Sequence, residues 1–316
     1  MTESAASDSY PNFWGNEPED EYYNQMRIKG SSSSYTSPRG LRLFTRSWLP
    51  TLPSSPRAII FMVHGSGNDI SWTFQATPIF LAQNGFACYA IDLEGHGRSQ
   101  GLKSYVPNMD LVVQDCLSFI VSIKQDPILT GLPVFLYGES MGGAICLLMH
   151  LSQPDSFKGA VLVAPMCKIS DAMRPNWPIP EILGFMSKFF PTLPVVPVPD
   201  IVSKAVKVKE KKVIADLNPV RYRGKPRLGT VMELLRVTDH LSEKLREVKI
   251  PFLVLHGSAD LVTDPEISKA LYAEAASEDK AIKIYEGMMH SMMFGETDDN
   301  IEIVRTDILS WFSQRC

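Results

Sequence analysis

A glycine–serine motif near the middle of the chain has the residue types and spacing of a nucleophile elbow. The motif, Gly-Glu-Ser-Met-Gly at residues 138–142, follows the apolar run 133–137 and leads into the apolar segment 143–148. A turn this tight between a strand and a helix needs residues without side chains two positions before and after the serine, and its strain projects the hydroxyl outward. The flanking strand and helix make this weak motif informative. We therefore predict that Ser140 is a nucleophile for acyl transfer.

A serine nucleophile needs an imidazole that takes its proton. A carboxylate must in turn hold that imidazole in one tautomer. With the serine on an elbow of this kind, the acid follows the seventh strand and the histidine follows the eighth. His290 comes directly after the predicted strand 282–285, and no other histidine follows the seventh strand. We predict that His290 is the general base and acid.

Two aspartates compete for the role of the acid. Residues 252–260 read as a strand that runs into a glycine turn and ends on Asp260. Asp264 precedes Pro265 at the start of an apparent helix, a position typical of a helix N-cap. Asp260 is the predicted acid, and Asp264 is the reserve.

The oxyanion formed during acyl transfer needs two backbone N–H donors, each worth roughly 3 kcal/mol of transition-state stabilisation. Met141 directly follows the nucleophile at a helix N-terminus, where N–H groups are unpaired and the helix dipole favours negative charge. The second donor comes from the loop after the third strand, here His-Gly-Ser-Gly at residues 64–67. We predict that Met141 and Ser66 form the oxyanion hole.

The elements that must position these residues are short apolar strands alternating with helix-length segments. Nearly continuous apolar runs are typical of strands buried on both faces, and their alternation with helices indicates a parallel sheet. We predict an α/β protein with the α/β-hydrolase fold: an eight-stranded, mostly parallel sheet with helices on both faces. The predicted strands are a hairpin, 34–37 with 41–48, and then 57–63, 87–93, 133–137, 159–164, 251–255 and 281–285.

Two segments lie outside this alternation. Residues 1–30 are acidic and polar, and we predict a partly disordered N-terminal extension to an α/β-hydrolase domain at 31–316. The proline-rich interval at about 166–246 lacks a strand, and we predict a helical cap inserted after the sixth strand, either a lid that opens or a fixed subdomain. The loop 92–99 is predicted to pack beside the elbow without a catalytic role.

The bulk properties exclude several classes of function. The 316 residues carry a net charge of -4, which argues against nucleic acid as a partner. No nucleotide-binding or zinc motif is present, so we predict neither cofactor nor metal. The sequence has no secretory signal and no apolar run of membrane-spanning length, which predicts a cytoplasmic protein; peripheral membrane contact through the cap stays open. The five cysteines lack the spacings of a zinc site or disulfide framework: Cys88, Cys116, Cys146, Cys167 and Cys316.

From about residue 35 to the C-terminus, the chain resembles the monoacylglycerol lipase branch of the α/β-hydrolases. This resemblance implies that Ser140, Asp260 and His290 form a catalytic triad and that Ser66 and Met141 donate to the oxyanion. The family more often has a larger or apolar residue where this chain has Ser66, but only the backbone N–H would be used. The matching segments are 64–67, 95–99, 138–143, 256–260 and His290. Segments 11–15, 21–23, 218–222, 224–227 and 233–236 resemble plant members of this branch that are monoacylglycerol lipases, lysophospholipases or caffeoylshikimate esterases.

These observations predict a carboxylic-ester hydrolase whose substrate is a small-molecule ester. An apolar pocket under the cap would recognise an acyl chain at about 0.8 kcal/mol per buried methylene, which favours a monoacylglycerol or a lysophospholipid. The Met- and Phe-rich stretch 185–190 either lines that pocket, touches a membrane or packs inside the cap. The alternatives are a caffeoylshikimate-type hydroxycinnamoyl esterase, an acyltransferase, and a non-catalytic receptor on the same fold.

Overall fold

An eight-stranded sheet forms the centre of the computed structural model, which describes residues 12–51, 55–167, 179–194 and 201–316. The strands are β1 (Ile28–Thr36), β2 (Arg42–Pro50), β3 (Ile59–Val63), β4 (Ala87–Ile91), β5 (Val134–Glu139), β6 (Gly159–Val163), β7 (Phe252–Gly257) and β8 (Lys280–Tyr285). Their spatial order is β1-β2-β4-β3-β5-β6-β7-β8. β2 pairs antiparallel with β1 and β4, and β3 to β8 are parallel to one another.

The helices of the described residues follow the strands in the predicted alternation. They are α1 (Glu19–Gln25), α2 (Ala76–Gln83), α3 (Met109–Ile123), α4 (Met141–Ser152), α5 (Ile179–Phe189), α6 (Ile201–Ala205), α7 (Lys209–Asp216), α8 (Leu228–Lys244), α9 (Pro265–Glu274) and α10 (Asp298–Ser313), with 3-10 turns at Thr73–Gln75 and Leu245–Glu247. Helices α5 to α8 lie between β6 and β7, as predicted for a cap inserted after the sixth strand.

The strands are apolar along their length because both faces of the sheet are buried. In β3, Ile59 and Phe61 belong to one core with residues of α3, α4 and α9, while Ile60 and Met62 belong to a second core with residues of α2 and α10. Each fully buried side chain of this size contributes roughly 1.5–3 kcal/mol. The predicted α/β-hydrolase fold, with helices on both faces of a mostly parallel sheet, is confirmed.

The sequence predicted that these strands exist, but it did not predict where the first one begins or the spatial order of the strands. The first strand begins at Ile28 and not at residue 34. Its run of serines lacks the apolar residues that mark a buried strand, and residues 31–34 are exposed there. The exchange of β3 and β4 in the spatial order is a long-range pairing that the pattern did not predict.

Part of the predicted N-terminal extension packs against the domain. Trp14 stacks on Tyr22 of α1 with ring centroids 4.5 Å apart, and Tyr23 is buried with its hydroxyl on Gln75 at 2.5 Å. Residues 1–11 of the extension and residues 168–178 and 195–200 of the predicted cap lie outside the described residues.

Candidate active site

The predicted nucleophile occupies a sharp turn between β5 and α4. Ser140 has φ +53° and ψ -117°, a positive φ that is rare for a residue with a side chain. A Cβ on Gly138 would collide with the carbonyl of Gly142, and one on Gly142 would collide with the carbonyl of Val63. Both flanking glycines are therefore required, as the motif predicts. The Ser140 N–H donates to Val163 O at 2.9 Å, which ties the elbow to the end of β6.

The Asp260 carboxylate holds His290 through its Oδ2 atom. Nδ1–H of His290 donates to Oδ2 at 2.6 Å, while Oδ1 accepts the N–H groups of Val262 at 2.7 Å and Thr263 at 3.0 Å. Burial alone would raise the pKa of Asp260, but hydrogen bonds from His256, His290 and the backbone hold that pKa below its usual range. The carboxylate is therefore charged at neutral pH, and Nε2 of His290 is left as the proton acceptor.

A buried polar cluster behind this carboxylate was not predicted from the sequence. The Thr263 hydroxyl lies 3.0 Å from Asp260 Oδ2 and 3.2 Å from His290 Nδ1. Nε2 of His256 faces Asp260 Oδ2 and Thr263 O, both at 3.1 Å, and its Nδ1 lies 2.7 Å from Ser268 Oγ. Because the two nearest partners of Nε2, a carboxylate and a carbonyl oxygen, can only accept, we assign the His256 proton to Nε2. No motif marks Thr263, and its place three residues after Asp260 is the one sequence signal that could have indicated it.

Thr263 also joins the histidine to the elbow. Its hydroxyl lies 3.3 Å from Ala164 O, one residue after the carbonyl that accepts the Ser140 N–H. Asp260 and His290 thus meet beside the strand ends that hold Ser140. The described residues form no hydrogen bond between Ser140 Oγ and His290, and such bonds commonly close only when substrate binds.

The loop predicted to supply an oxyanion donor lies against the elbow. An ideal Cβ on Gly65 would be 3.3 Å from Ser140 Cβ, so the loop that carries Ser66 passes beside the serine. Met141 begins α4, whose first N–H groups have no intrahelical acceptor. His64 braces this loop: its Nδ1–H donates to Gly65 O at 2.8 Å, and its Nε2 accepts the Leu93 N–H at 3.1 Å. Burial and nearby His96 lower the pKa of His64 to about 3, so the brace is uncharged.

The cap is bonded to the continuation of this loop. Asn218 Nδ2 donates to Asp69 Oδ2 at 2.6 Å, and Trp72 Nε1 donates to Ile214 O at 2.7 Å. Asp69 is buried, so its carboxylate depends on such donors. The cap therefore positions the loop that carries Ser66.

The loop 92–99 is a buried brace, in agreement with its predicted architectural role. Asp92 accepts the N–H groups of Ile70 and Arg98, both at 2.8 Å, and thereby joins the loop after β3 to the loop after β4. Burial, and next the charge of Asp69, raise the pKa of Asp92 to about 7.

The reserve aspartate and a further buried histidine, His150, have structural positions. Asp264 caps α9, and its Oδ1 accepts the Glu266 N–H at 3.0 Å, as expected for the reserve aspartate. His150 accepts the N–H groups of Lys249 and Ile250 at the C-terminal end of the cap. In the described ranges, no group of three or more metal-ligating side chains is assembled, and no helix has the length and apolar character needed to cross a bilayer.

Comparison with known proteins identifies the family of this chain. Residues 54–298 match the family model described as serine aminopeptidase, S33. The chain is 42% identical to the caffeoylshikimate esterase of Arabidopsis thaliana, over 96% of this chain and 91% of that protein. It is 32% identical to the monoglyceride lipase of Homo sapiens, over 87% of this chain and 88% of that protein.

A solved structure shares the fold. It is a soluble variant of the monoglyceride lipase of Saccharomyces cerevisiae in complex with a substrate analogue, with a TM-score of 0.78 at 21% identity. The match covers 90% of this chain and 94% of that one. At this identity, the likeness concerns the fold alone.

Proposed function

The chain belongs to the serine aminopeptidase S33 family of the α/β-hydrolases and is a carboxylic-ester hydrolase, and we propose that it cleaves lipid monoesters with Ser140, Asp260 and His290 as its catalytic triad. The observation that supports the triad best is the 2.6 Å hydrogen bond from His290 to a buried, charged Asp260 beside the strained Ser140 turn. A nucleophile, a base and an orienting acid at three strand ends are what acyl transfer requires.

In the proposed reaction, Ser140 Oγ attacks the ester carbonyl carbon while its proton passes to His290 Nε2. Asp260 stabilises the imidazolium, because its Oδ2 already holds Nδ1–H. His290 then protonates the departing alcohol, leaving an acyl group on Ser140. A water molecule then attacks the acyl carbon as His290 Nε2 takes its proton, and that proton passes to Ser140 Oγ as the carbon–Oγ bond breaks and the acid is released.

The oxyanion of both tetrahedral intermediates would be held by the N–H groups of Met141 and Ser66. The Met141 group points out of the α4 N-terminus, where the helix dipole adds to its attraction for negative charge. The Ser66 group is carried by a loop that His64 and the cap residue Asn218 hold in place. Fixed donors of this kind require no reorganisation during the reaction.

An apolar surface on the cap supports a lipid monoester as the substrate. α5 and the residues after it expose large apolar side chains, with Phe185 65% and Phe189 64% exposed and their rings 5.3 Å apart. α5 packs on α8 of the cap and continues to Phe190, which is also exposed. Such a surface would bind the cap to a lipid surface at which long-chain monoesters are concentrated.

Chain-length dependence tests the proposed substrate class. With monoacylglycerols of increasing length below their critical micelle concentrations, kcat/KM should rise about fourfold per buried methylene, as about 0.8 kcal/mol predicts. Lysophosphatidylcholine and caffeoylshikimate complete the panel of three ester classes. A rate independent of chain length would contradict recognition of an acyl chain.

A hydroxycinnamoyl ester is the second candidate substrate. The specific observation in its favour is the 42% identity to a caffeoylshikimate esterase over 96% of this chain. If caffeoylshikimate gives the highest kcat/KM in the same panel, this candidate replaces the lipid monoester while the proposed triad stands.

The proposed membrane contact predicts a loss of activity on a membrane-bound ester but not on a water-soluble one. The variant Phe185→Ser/Phe189→Ser should lower hydrolysis of a long-chain monoacylglycerol in phosphatidylcholine vesicles by about a hundredfold or more, since burying each of the two phenylalanines contributes roughly 1.5–3 kcal/mol. Hydrolysis of water-soluble 4-nitrophenyl acetate should stay at the wild-type rate. Ile303→Ser on α10, where Ile303 is 52% exposed, is the matched control. Equal losses on both substrates would argue against a membrane contact.

A further inference from the structure

The cap forms backbone hydrogen bonds with the loop that carries His290. The loop, residues 287–296, lies between β8 and α10. The N–H groups of Lys207 and Val208 both donate to Gly295 O at 3.0 Å, and the Ser291 N–H donates to Ala205 O at 2.9 Å. The cap segment 205–208 thus runs along the loop and bonds to it on both sides of Phe294.

The approach of the two chains is close enough to exclude a side chain. A Cβ on Gly295 would lie 3.0 Å from Val206 Cα and 2.8 Å from Ser291 Cβ. Any larger residue at position 295 would push the cap segment away from the histidine loop. The cap segment and the histidine loop are therefore closely packed against each other.

A buried carboxylate fixes the loop immediately before the histidine. Glu296 has no solvent exposure, and its Oε1 accepts the N–H of Met289, the residue before His290, at 2.7 Å. Its Oε2 accepts from Asn300 Nδ2 at 2.9 Å. A charged group in this position needs a cation nearby, because burial removes its hydration.

That cation comes from the cap. Lys207 Nζ lies 3.4 Å from Glu296 Oε2 and donates to Gly287 O at 2.8 Å. One ammonium group thus joins the beginning of the histidine loop to its end. The neighbouring Lys211 Nζ also donates to Glu296 O at 2.8 Å.

We propose that Lys207 and Glu296 are positioning residues that hold the backbone around His290, so that docking of the cap aligns its imidazole with Asp260 and Ser140. The proposal rests on the proposed role of His290 as the general base. The cap would then affect kcat for every ester, whether or not it also binds the acyl chain.

Lys207→Met tests the proposal on 4-nitrophenyl acetate, whose short acyl group makes few contacts with the cap. We expect kcat to fall about ten- to a hundredfold with KM within about twofold, because a displacement of about 1 Å in a catalytic group can cost about a hundredfold. Lys207→Arg, which keeps a cation that can reach both partners, should restore kcat to within about threefold of wild type. Lys209→Met, an exposed lysine two residues along the chain at the start of α7, is the matched control and should leave kcat unchanged.

A double-mutant cycle with Glu296→Gln separates positioning from stability. Lys207→Met leaves the Glu296 carboxylate without its cation, and Glu296→Gln places a neutral amide beside the Lys207 ammonium group. Lys207→Met/Glu296→Gln removes both charges. The combined loss in kcat should therefore be smaller than the product of the two single losses. Thermal unfolding of every variant is measured in parallel.

A wild-type kcat in Lys207→Met, or a fall in melting temperature alone, would overturn the proposal. If Lys207→Met does not fold, a wild-type kcat in Glu296→Gln would overturn it instead. Failure of the proposed function is recognised separately: wild-type protein would then hydrolyse no ester, or Ser140→Ala would keep its activity.

Discussion

Replacement of Ser140 by alanine is expected to lower ester hydrolysis about a million-fold, the loss typical when a catalytic serine is removed. The reason is that Ser140 occupies the strained turn at the end of β5, where the N–H of Met141 would face the reacting carbonyl in the proposed reaction. Covalent labelling by a fluorophosphonate should disappear together with the activity. Both are measured with purified protein, by initial rates and by intact-protein mass spectrometry.

Ser152→Ala is the matched control for this experiment. Ser152 ends the helix that Ser140 precedes and is exposed, so its loss should change neither the rate nor the labelling. Continued labelling of Ser140→Ala at a single site would show that another residue is the nucleophile. The elbow would then be a structural turn.

Replacement of Asp260 by asparagine is expected to lower kcat on the order of ten-thousand-fold. His290 Nδ1 would lose the charged acceptor that now lies 2.6 Å away. In one orientation of the asparagine amide, an N–H group would face His290 Nδ1 instead. The imidazole would then take the tautomer with hydrogen on Nε2, which cannot accept the serine proton. Steady-state kinetics on a soluble ester give kcat, and circular dichroism checks that the variant is folded.

Asp264→Asn distinguishes the two aspartates of this loop. Asparagine caps a helix about as well as aspartate, so this variant should keep both its stability and its kcat. If Asp264→Asn loses activity and Asp260→Asn does not, the acid has been assigned to the wrong residue. The same pair of variants also tests the inference drawn from the hydrogen bonds of Asp260.

The cap contacts two loops of the proposed site, and these contacts restrict which parts of the cap can move. Asn218 bonds to the loop that carries Ser66, and Lys207 bonds to the loop that carries His290. α5, by contrast, packs on α8 and leaves its phenylalanines exposed. We therefore expect any opening to involve α5 rather than the segment 205–218.

Local patterns in the sequence were sufficient to predict the elbow and the strands. The turn at Ser140 needs two glycines for steric reasons that act within five residues, and the buried strands show as apolar runs because both faces of the sheet are covered. The order of the motifs along the chain then indicated His290 and Asp260. The sites of these residues at the ends of β5, β7 and β8 follow from the fold itself.

Other features depend on residues far apart in the chain, and no local pattern marks them. Thr263 meets Ala164 across 99 positions, and Lys207 meets Gly287 across 80. Glu296 reads as an ordinary surface glutamate before a helix, yet it is fully buried beneath the cap.

The sequence by itself predicted the chemistry proposed for this protein, because the glycines of the serine turn and the order of the motifs along the chain can be read without the fold. The tertiary structure alone decided which groups hold that chemistry in place. Burial makes the charges of Asp260 and Glu296 dependent on partners, and the folding of the cap across the histidine loop supplies one of them, Lys207.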